Sequence, residues 1–141
     1  MYLDSAYLAK YYVNEADAPA VRKAIRRASS LCSSSWALAE VTCVFHRHAR
    51  EQSLTIAQSR ELIDLFRSHA ESGVWNLIPV TESLLRKAAM LMRGLPRDVA
   101  VRAGDAIHVA TALEAGEPEI WTNDRHLLAA AAHFGIAGRS V

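Results

Sequence analysis

The sequence predicts a three-layer α/β domain with a mostly parallel central sheet of about four or five strands, flanked by helices. Three observations predict it. Short apolar runs alternate with longer helical stretches along the whole chain. No internal repeat, low-complexity tract or linker interrupts that alternation. The length of 141 residues and the apolar fraction of 51% suit one domain, residues 1–141, with a single core.

Met1–Leu3 reads as a first strand that stops at Asp4, and Ser5–Val13 as a helix with Ala6, Leu8, Ala9 and Tyr12 as its apolar contacts. A second helix is expected over Ala18–Ala28, because Asp17 suits its N-cap and Pro19 its first turn. Leu31–Ser33 is a candidate buried strand. Ser35 is expected to open a helix through about Arg50. Trp36, Ala37, Ala39, Val41, Val44 and Phe45 make it apolar over much of its girth, which predicts burial on more than one side. Thr55–Ser72 is amphipathic through Ile56, Leu62, Ile63, Leu65 and Phe66, and Gly73 ends it. Val74–Val80 reads as a strand limited near its end by Pro79. Thr81 caps a helix to Leu91, and a loop with Gly94, Pro96 and Asp98 follows. Gly104 and Asp105 start a helix that Gly116 closes. Glu119–Thr122 is a strand, Asn123 or Asp124 caps a last helix, and Ile136–Val141 is a candidate edge strand.

The charged fraction is 22% and the formal net charge +1, which does not announce a nucleic-acid binder. Two local basic runs stand out: Arg22, Lys23, Arg26 and Arg27, and Arg47, His48 and Arg50. Each is read first as a solvated helix face. The apolar runs are too short to span a bilayer, no secretory signal is visible, and a cytoplasmic location is expected. Cys32 and Cys43 lack a CxxC spacing and read as two buried, reduced thiols.

Four acids carry the functional argument: Asp4, Glu40, Asp105 and Asp124. Three stand at strand-to-helix or helix-start junctions, which a parallel sheet gathers at one edge. Helix capping is the simpler explanation of Asp4 and of Asp124 when each is taken alone. Glu40 is harder to dismiss: its i±3 and i±4 neighbours are Trp36, Ala37, Cys43 and Val44, none of them cationic. An unpaired buried carboxylate costs several kcal/mol in round terms, or stays protonated, unless a cation joins it. Asp105 shares a helix face with His108, which reads as a core histidine, a donor to a metal ligand or a ligand itself. Ser5, Thr122 and Asn123 offer further oxygens beside the acids. A carboxylate cluster of this kind needs protons or divalent cations. HExxH, P-loop, GxGxxG and GxSxG motifs are absent, and Ala6 stands where a haloacid-dehalogenase-like phosphatase wants its second Asp.

Four segments in this order resemble those of PIN-domain nucleases: Met1–Ala6 (MYLDSA), Ser35–Val41 (SWALAEV), Ala103–Ala112 (AGDAIHVATA) and Thr122–Asp124 (TND). The chain is similar to the VapC toxins of type II toxin–antitoxin pairs over nearly its whole length. The resemblance implies a PIN-like fold and an endoribonuclease. Asp4, Glu40, Asp105 and Asp124 would be the acids that hold Mg²⁺ or Mn²⁺, with Ser5 and Thr122 as nearby hydroxyls. It also implies a homodimer and inhibition by a cognate VapB-type antitoxin. The first strand is shorter than in many relatives. The expected chemistry is hydrolysis of an RNA phosphodiester, with Asp4, Glu40 and Asp105 as first candidates for metal and Asp124 in a weaker or water-mediated role. Basic residues, Arg102 and Arg125 among them, are candidates for the RNA backbone. The alternatives are a non-catalytic protein- or RNA-binding module and a metal-dependent nuclease acting on DNA. Tyr7, Tyr11 and Tyr12, and Leu62, Leu65 and Phe66, are candidate contact surfaces for a second copy or an antitoxin.

Overall fold

In the computed structural model, which describes residues 1–141, five short strands make one sheet: β1 (Tyr2–Leu3), β2 (Cys32–Ser34), β3 (Asn76–Ile78), β4 (Glu119–Trp121) and β5 (Ala137–Arg139). Their order across the sheet is β3-β2-β1-β4-β5, and every neighbouring pair is parallel. β1 sits in the middle, with Tyr2 opposite both Cys32 and Ile120 and Leu3 opposite Trp121. The strands therefore run outwards from β1 in two directions, β2 and β3 on one side and β4 and β5 on the other. That reversal of order at β1 and β4 opens a crevice at their carboxyl ends, where such sheets take ligands.

Seven helices cover the sheet: α1 (Ser5–Tyr12), α2 (Ala18–Ile25), α3 (Ala37–Arg50), α4 (Ile56–Glu71), α5 (Glu82–Arg93), α6 (Ala103–Glu114) and α7 (Arg125–Ala130). The period-2 alternation of the strands splits the core between two faces. Leu3 packs with Leu8 and Val21, and with Val41, Phe45, Phe66 and Trp75 from α3, α4 and the turn before β3. Tyr2, Cys32 and Ile120 point the other way, onto Val109 and Ala112 of α6 and Leu127 of α7. A third cluster joins α5 to α6 through Leu84, Ala88, Ala106, Ile107 and Ala110. The three layers and the parallel sheet that the alternation predicts are thus observed. No helix is long and apolar enough to cross a membrane.

The caps explain several boundaries. Thr55 accepts from the Gln58 amide while the Gln58 side chain accepts from the Thr55 amide, a capping box. Thr81 caps α5 by accepting from the Leu84 amide at 3.2 Å. Gly73 adopts φ +77°, a left-handed conformation that glycine takes at little cost, and so ends α4.

Some expectations fail. Ser35 does not open α3. Its hydroxyl accepts from the Val80 amide at 2.9 Å, tying the end of β3 to the segment after β2, and regular helix begins at Ala37. α3 buries one face only, through Ala37, Val41 and Phe45, while Trp36 and Leu38 are exposed. Its apolar girth reflects an open surface and not a second packed side. Cys32 is buried, but Cys43 lies exposed on the open side of α3. Asp17 makes no side-chain cap to α2, because its carboxylate takes Lys10 and Asn123 instead. Tyr7 and Phe66 are wholly buried, so neither serves a partner surface in this fold. Tyr12 is likewise committed inward, receiving the Trp75 indole N–H at 2.6 Å and contacting the Phe45 and Phe66 rings.

Candidate active site

Asp4 is the first residue after β1 and its amide still follows the sheet, donating to the Trp121 carbonyl at 3.1 Å. Its carboxylate caps α1: the Tyr7 amide donates to Oδ1 at 2.8 Å. The Thr122 hydroxyl donates to Oδ2. Asp4 is 6% exposed. Burial pushes its carboxyl above the usual range, the Thr122 and Tyr7 donors oppose that without cancelling it, and Asp105 adds repulsion.

Thr122 is the hinge between two acids. It follows β4 fully buried, donates to Asp4, and accepts from the Asp124 amide at 2.9 Å. Asp124 caps α7, its Oδ1 accepting from the amides of His126 at 2.7 Å and Leu127 at 3.2 Å. Its Oδ2 lies 3.6 Å from the Arg102 guanidinium. Capping and the cleft are therefore not rival explanations of Asp4 and Asp124; the same carboxylates serve both.

Asp105 occupies the first turn of α6, where its Oδ2 accepts from the Arg102 amide at 3.1 Å. Burial raises its carboxyl above the ordinary range, the Arg102 amide opposes this, and Asp124 raises it further. Asp4, Asp105 and Asp124 thus repel one another along one wall of the crevice.

Glu40 stands on the opposite wall, on α3, and it is well supplied with donors. Ser5 Oγ donates to its Oε2 at 2.6 Å, and His108 Nε2 lies 2.9 Å from the same oxygen. Its side chain is 35% exposed. The expectation of a buried, unpaired carboxylate fails, because Ser5 and His108 reach it from other helices and the Trp36 indole, at its own i−4 position, adds a neutral donor. Burial pushes Glu40 up, but His108, Ser5 and the neighbouring Trp36 indole together outweigh it and leave the carboxyl below its ordinary value.

His108 is 2% exposed and its Nδ1 lies 2.9 Å from the Tyr2 hydroxyl. A carboxylate only accepts, so Nε2 donates to Glu40, and in the neutral ring Nδ1 accepts from Tyr2. Burial holds the Tyr2 hydroxyl far above its usual range, so it keeps its proton and remains a donor. His108 is therefore neither a plain core histidine nor, in this arrangement, a free ligand. Tyr2, His108 and Glu40 form a line of hydrogen bonds from the sheet to the cleft, with Ser5 alongside at 3.0 Å from Nε2.

Gly104 completes this wall. A Cβ there would stand 2.6 Å from Glu40 Oε1 and 3.5 Å from the Trp36 indole nitrogen. The sequence shows a glycine inside a helical turn, which costs about 1 kcal/mol relative to alanine and so asks for a reason. Tyr2 had no comparable signal, since it is indistinguishable from a core strand residue without the topology. Asn123 turns away from the cleft: its amide donates to Asp17, and its oxygen accepts from Ser140 Oγ at 2.7 Å. It fixes the turn that carries Thr122 and Asp124 and does not contribute to the acidic surface.

Asp4, Ser5, Glu40, Asp105, His108 and Asp124 all line one cleft of about 450 Å³. Arg47 and Arg102 line it too. The donors are oxygens of the kind a hard divalent cation takes, and the raised carboxyls of Asp4 and Asp105 show charge that a cation would relieve. In chemical type the residues fit such an ion. No three of the His, Cys, Asp and Glu side chains are gathered closely enough to hold one together as they stand, so closing on it requires side-chain movement.

The family model for the PIN domain matches residues 1–133. Among solved structures, the chain is similar to VapC20 of Mycobacterium tuberculosis, described as a toxin that cleaves the sarcin–ricin loop. The two share 15% identity and superpose with a TM-score of 0.72, covering 92% of this chain and 93% of that one, a likeness of fold. No curated protein matches the sequence. With its parallel sheet, its acids at the carboxyl edge and a family match over most of its length, the chain belongs to the PIN-domain family.

Proposed function

We propose that the protein is a Mg²⁺- or Mn²⁺-dependent endoribonuclease acting in the cytoplasm, the toxin of a type II toxin–antitoxin pair that a cognate VapB-type antitoxin inhibits. The observation that carries this reading is the meeting of Asp4, Glu40, Asp105 and Asp124 in one cleft at the carboxyl edge of the sheet. Membership of the PIN-domain family supports nuclease chemistry, and the similar fold of a toxin that cleaves the sarcin–ricin loop supports RNA as the substrate class. A bound divalent cation would supply an acidified water and stabilise charge on the phosphate and the leaving oxygen.

The chain's own residues do the rest. Asp4, Glu40 and Asp105 would hold the ion, and Asp124 would act more weakly because its Oδ1 is committed to the α7 amides. Thr122 and Ser5 keep Asp4 and Glu40 in place. Arg47 and Arg102 at the cleft wall would take phosphate oxygens of the RNA backbone. A homodimer would draw its surface from exposed apolar side chains such as Ile56, Leu65, Leu85 and Met90.

One observation favours a second reading, a binding module without catalysis: the acids are not drawn together tightly enough to hold an ion as they stand. Cleavage of total cellular RNA by purified protein separates the two. Discrete fragments that need Mg²⁺ or Mn²⁺, vanish in EDTA and vanish in Asp4→Asn are expected. Absence of both cleavage and metal binding would replace the nuclease with the binding module, and preference for DNA in a competition would change the substrate class.

A further inference from the structure

The open side of α3 is not accounted for by the acids. Trp36, Ala39, Glu40, Cys43, Val44 and Arg47 line the cleft together, at the i, i+3, i+4, i+7, i+8 and i+11 spacing of one helix face. Trp36 is 40% exposed although it is the largest side chain type. Its indole nitrogen lies beside Glu40, on the spot that Gly104 leaves clear. Arg47, at the other end of the stripe, has no carboxylate within ion-pair distance. The two ends stand about 16 Å apart along the helix, at roughly 1.5 Å per residue.

We propose that this stripe is a subsite for unpaired nucleotides, in which the Trp36 indole stacks on a base beside the acids and Arg47 takes a phosphate further along the strand. The inference rests on the nuclease reading and adds where the strand lies and what selects it. An exposed aromatic ring has a π-face for any unpaired base, and a free guanidinium next to an apolar strip matches a chain that alternates bases with phosphates. A peptide partner would find the apolar strip but would have less use for an unpaired arginine at its far end.

The test is binding of a single-stranded 2′-O-methyl oligonucleotide, which resists cleavage, to the full chain in EDTA. Its abasic analogue of equal length runs in parallel. Trp36→Ala is expected to weaken the base-containing strand by about tenfold or more and to leave the abasic strand unchanged, while Trp36→Phe keeps most of the affinity. Trp36→Ala should keep the wild-type salt slope, and Arg47→Gln should flatten it by about 0.7, one phosphate's share for a single strand. Equal binding of both strands by wild type, or undiminished binding by Trp36→Ala, would overturn the subsite while leaving the acids as a nuclease centre. Loss of self-association in Trp36→Ala with unchanged oligonucleotide binding would also overturn it, by making the stripe a protein surface. If wild type binds no strand and cuts no RNA, the nuclease reading fails as well.

Discussion

The two walls of the cleft treat their carboxylates in opposite ways. On the β1–β4 side, Asp4, Asp105 and Asp124 crowd one another, and burial with mutual repulsion holds Asp4 and Asp105 above the ordinary carboxyl range. On the α3 side, Glu40 is only half-buried and draws on His108, Ser5 and Trp36, which hold it below that range. One wall stores unfavourable charge; the other holds its charge stabilised by protein donors. In the proposed function a divalent cation would gain most from the first wall, with Glu40 closing on it from the second. The proposed roles follow this asymmetry, and so do the ways to break it.

The largest effect is expected on the crowded wall. Asp4→Asn and Asp105→Asn should each lower metal-dependent RNA cleavage by at least about a hundredfold, since in the proposed function Asp4 and Asp105 hold the ion that generates the nucleophile. Expression of the wild-type chain without the proposed antitoxin should stop growth, and either variant should relieve it. Persistent toxicity in both would break the catalytic account.

The same variants should have the opposite effect on stability. The folded values of Asp4 and Asp105 are raised, so their favourable contribution is present below the unfolded carboxyl range near pH 4 and is lost as pH rises through the folded values. Metal-free protein should thus melt a few degrees higher as Asp4→Asn than as wild type at pH 7, with the gap closing towards pH 4. Glu40 runs the other way: its contribution is present above its unfolded value and is lost as pH falls through the lowered one. Glu40→Gln should therefore not stabilise the metal-free protein at pH 7, and melting curves of the two variants across pH 4–8 read the contrast directly.

Smaller effects sharpen the second wall. Tyr2→Phe leaves His108 Nδ1 buried without its donor, at a cost of about 1–3 kcal/mol. Thermal melting should fall by several degrees, while activity falls less than in Asp4→Asn. Gly104→Ala should show the reverse split. Alanine favours the helix by about 0.5–1 kcal/mol, so melting should hold or rise. Yet its Cβ must displace the Glu40 carboxylate, and cleavage should fall by about tenfold with weaker Mn²⁺ binding. Unchanged cleavage in Gly104→Ala would remove Glu40's placement from the account.

Much of this architecture was legible because local chemistry and fold agree. Thr55 and Thr81 announce their helices, and alternation of Tyr2 with Leu3 distributes two core faces. The positions of Asp4 and Asp124 were readable because helix caps at the carboxyl ends of parallel strands must gather at one edge. What escaped were pairings across layers. Glu40 looked unpaired because Ser5 and His108, its partners from other helices, lie 35 and 68 residues away in sequence. Ser35 looked like a helix start because its true partner, Val80, belongs to a different strand's end. Asn123 sits between the buried Thr122 and the cleft residue Asp124, yet alternation along the chain turns its side chain to Asp17. α3 read as a core helix because an exposed apolar stripe and a second buried face have the same hydropathy.

The most direct measurement is Mn²⁺ binding to the metal-free protein, followed by electron paramagnetic resonance, in wild type, Asp4→Asn and Glu40→Gln. The account gives a bound ion in wild type, near-total loss in Asp4→Asn, and a milder loss in Glu40→Gln, which keeps the crowded wall intact. No bound ion in wild type, or equal binding in wild type and Asp4→Asn, would contradict it.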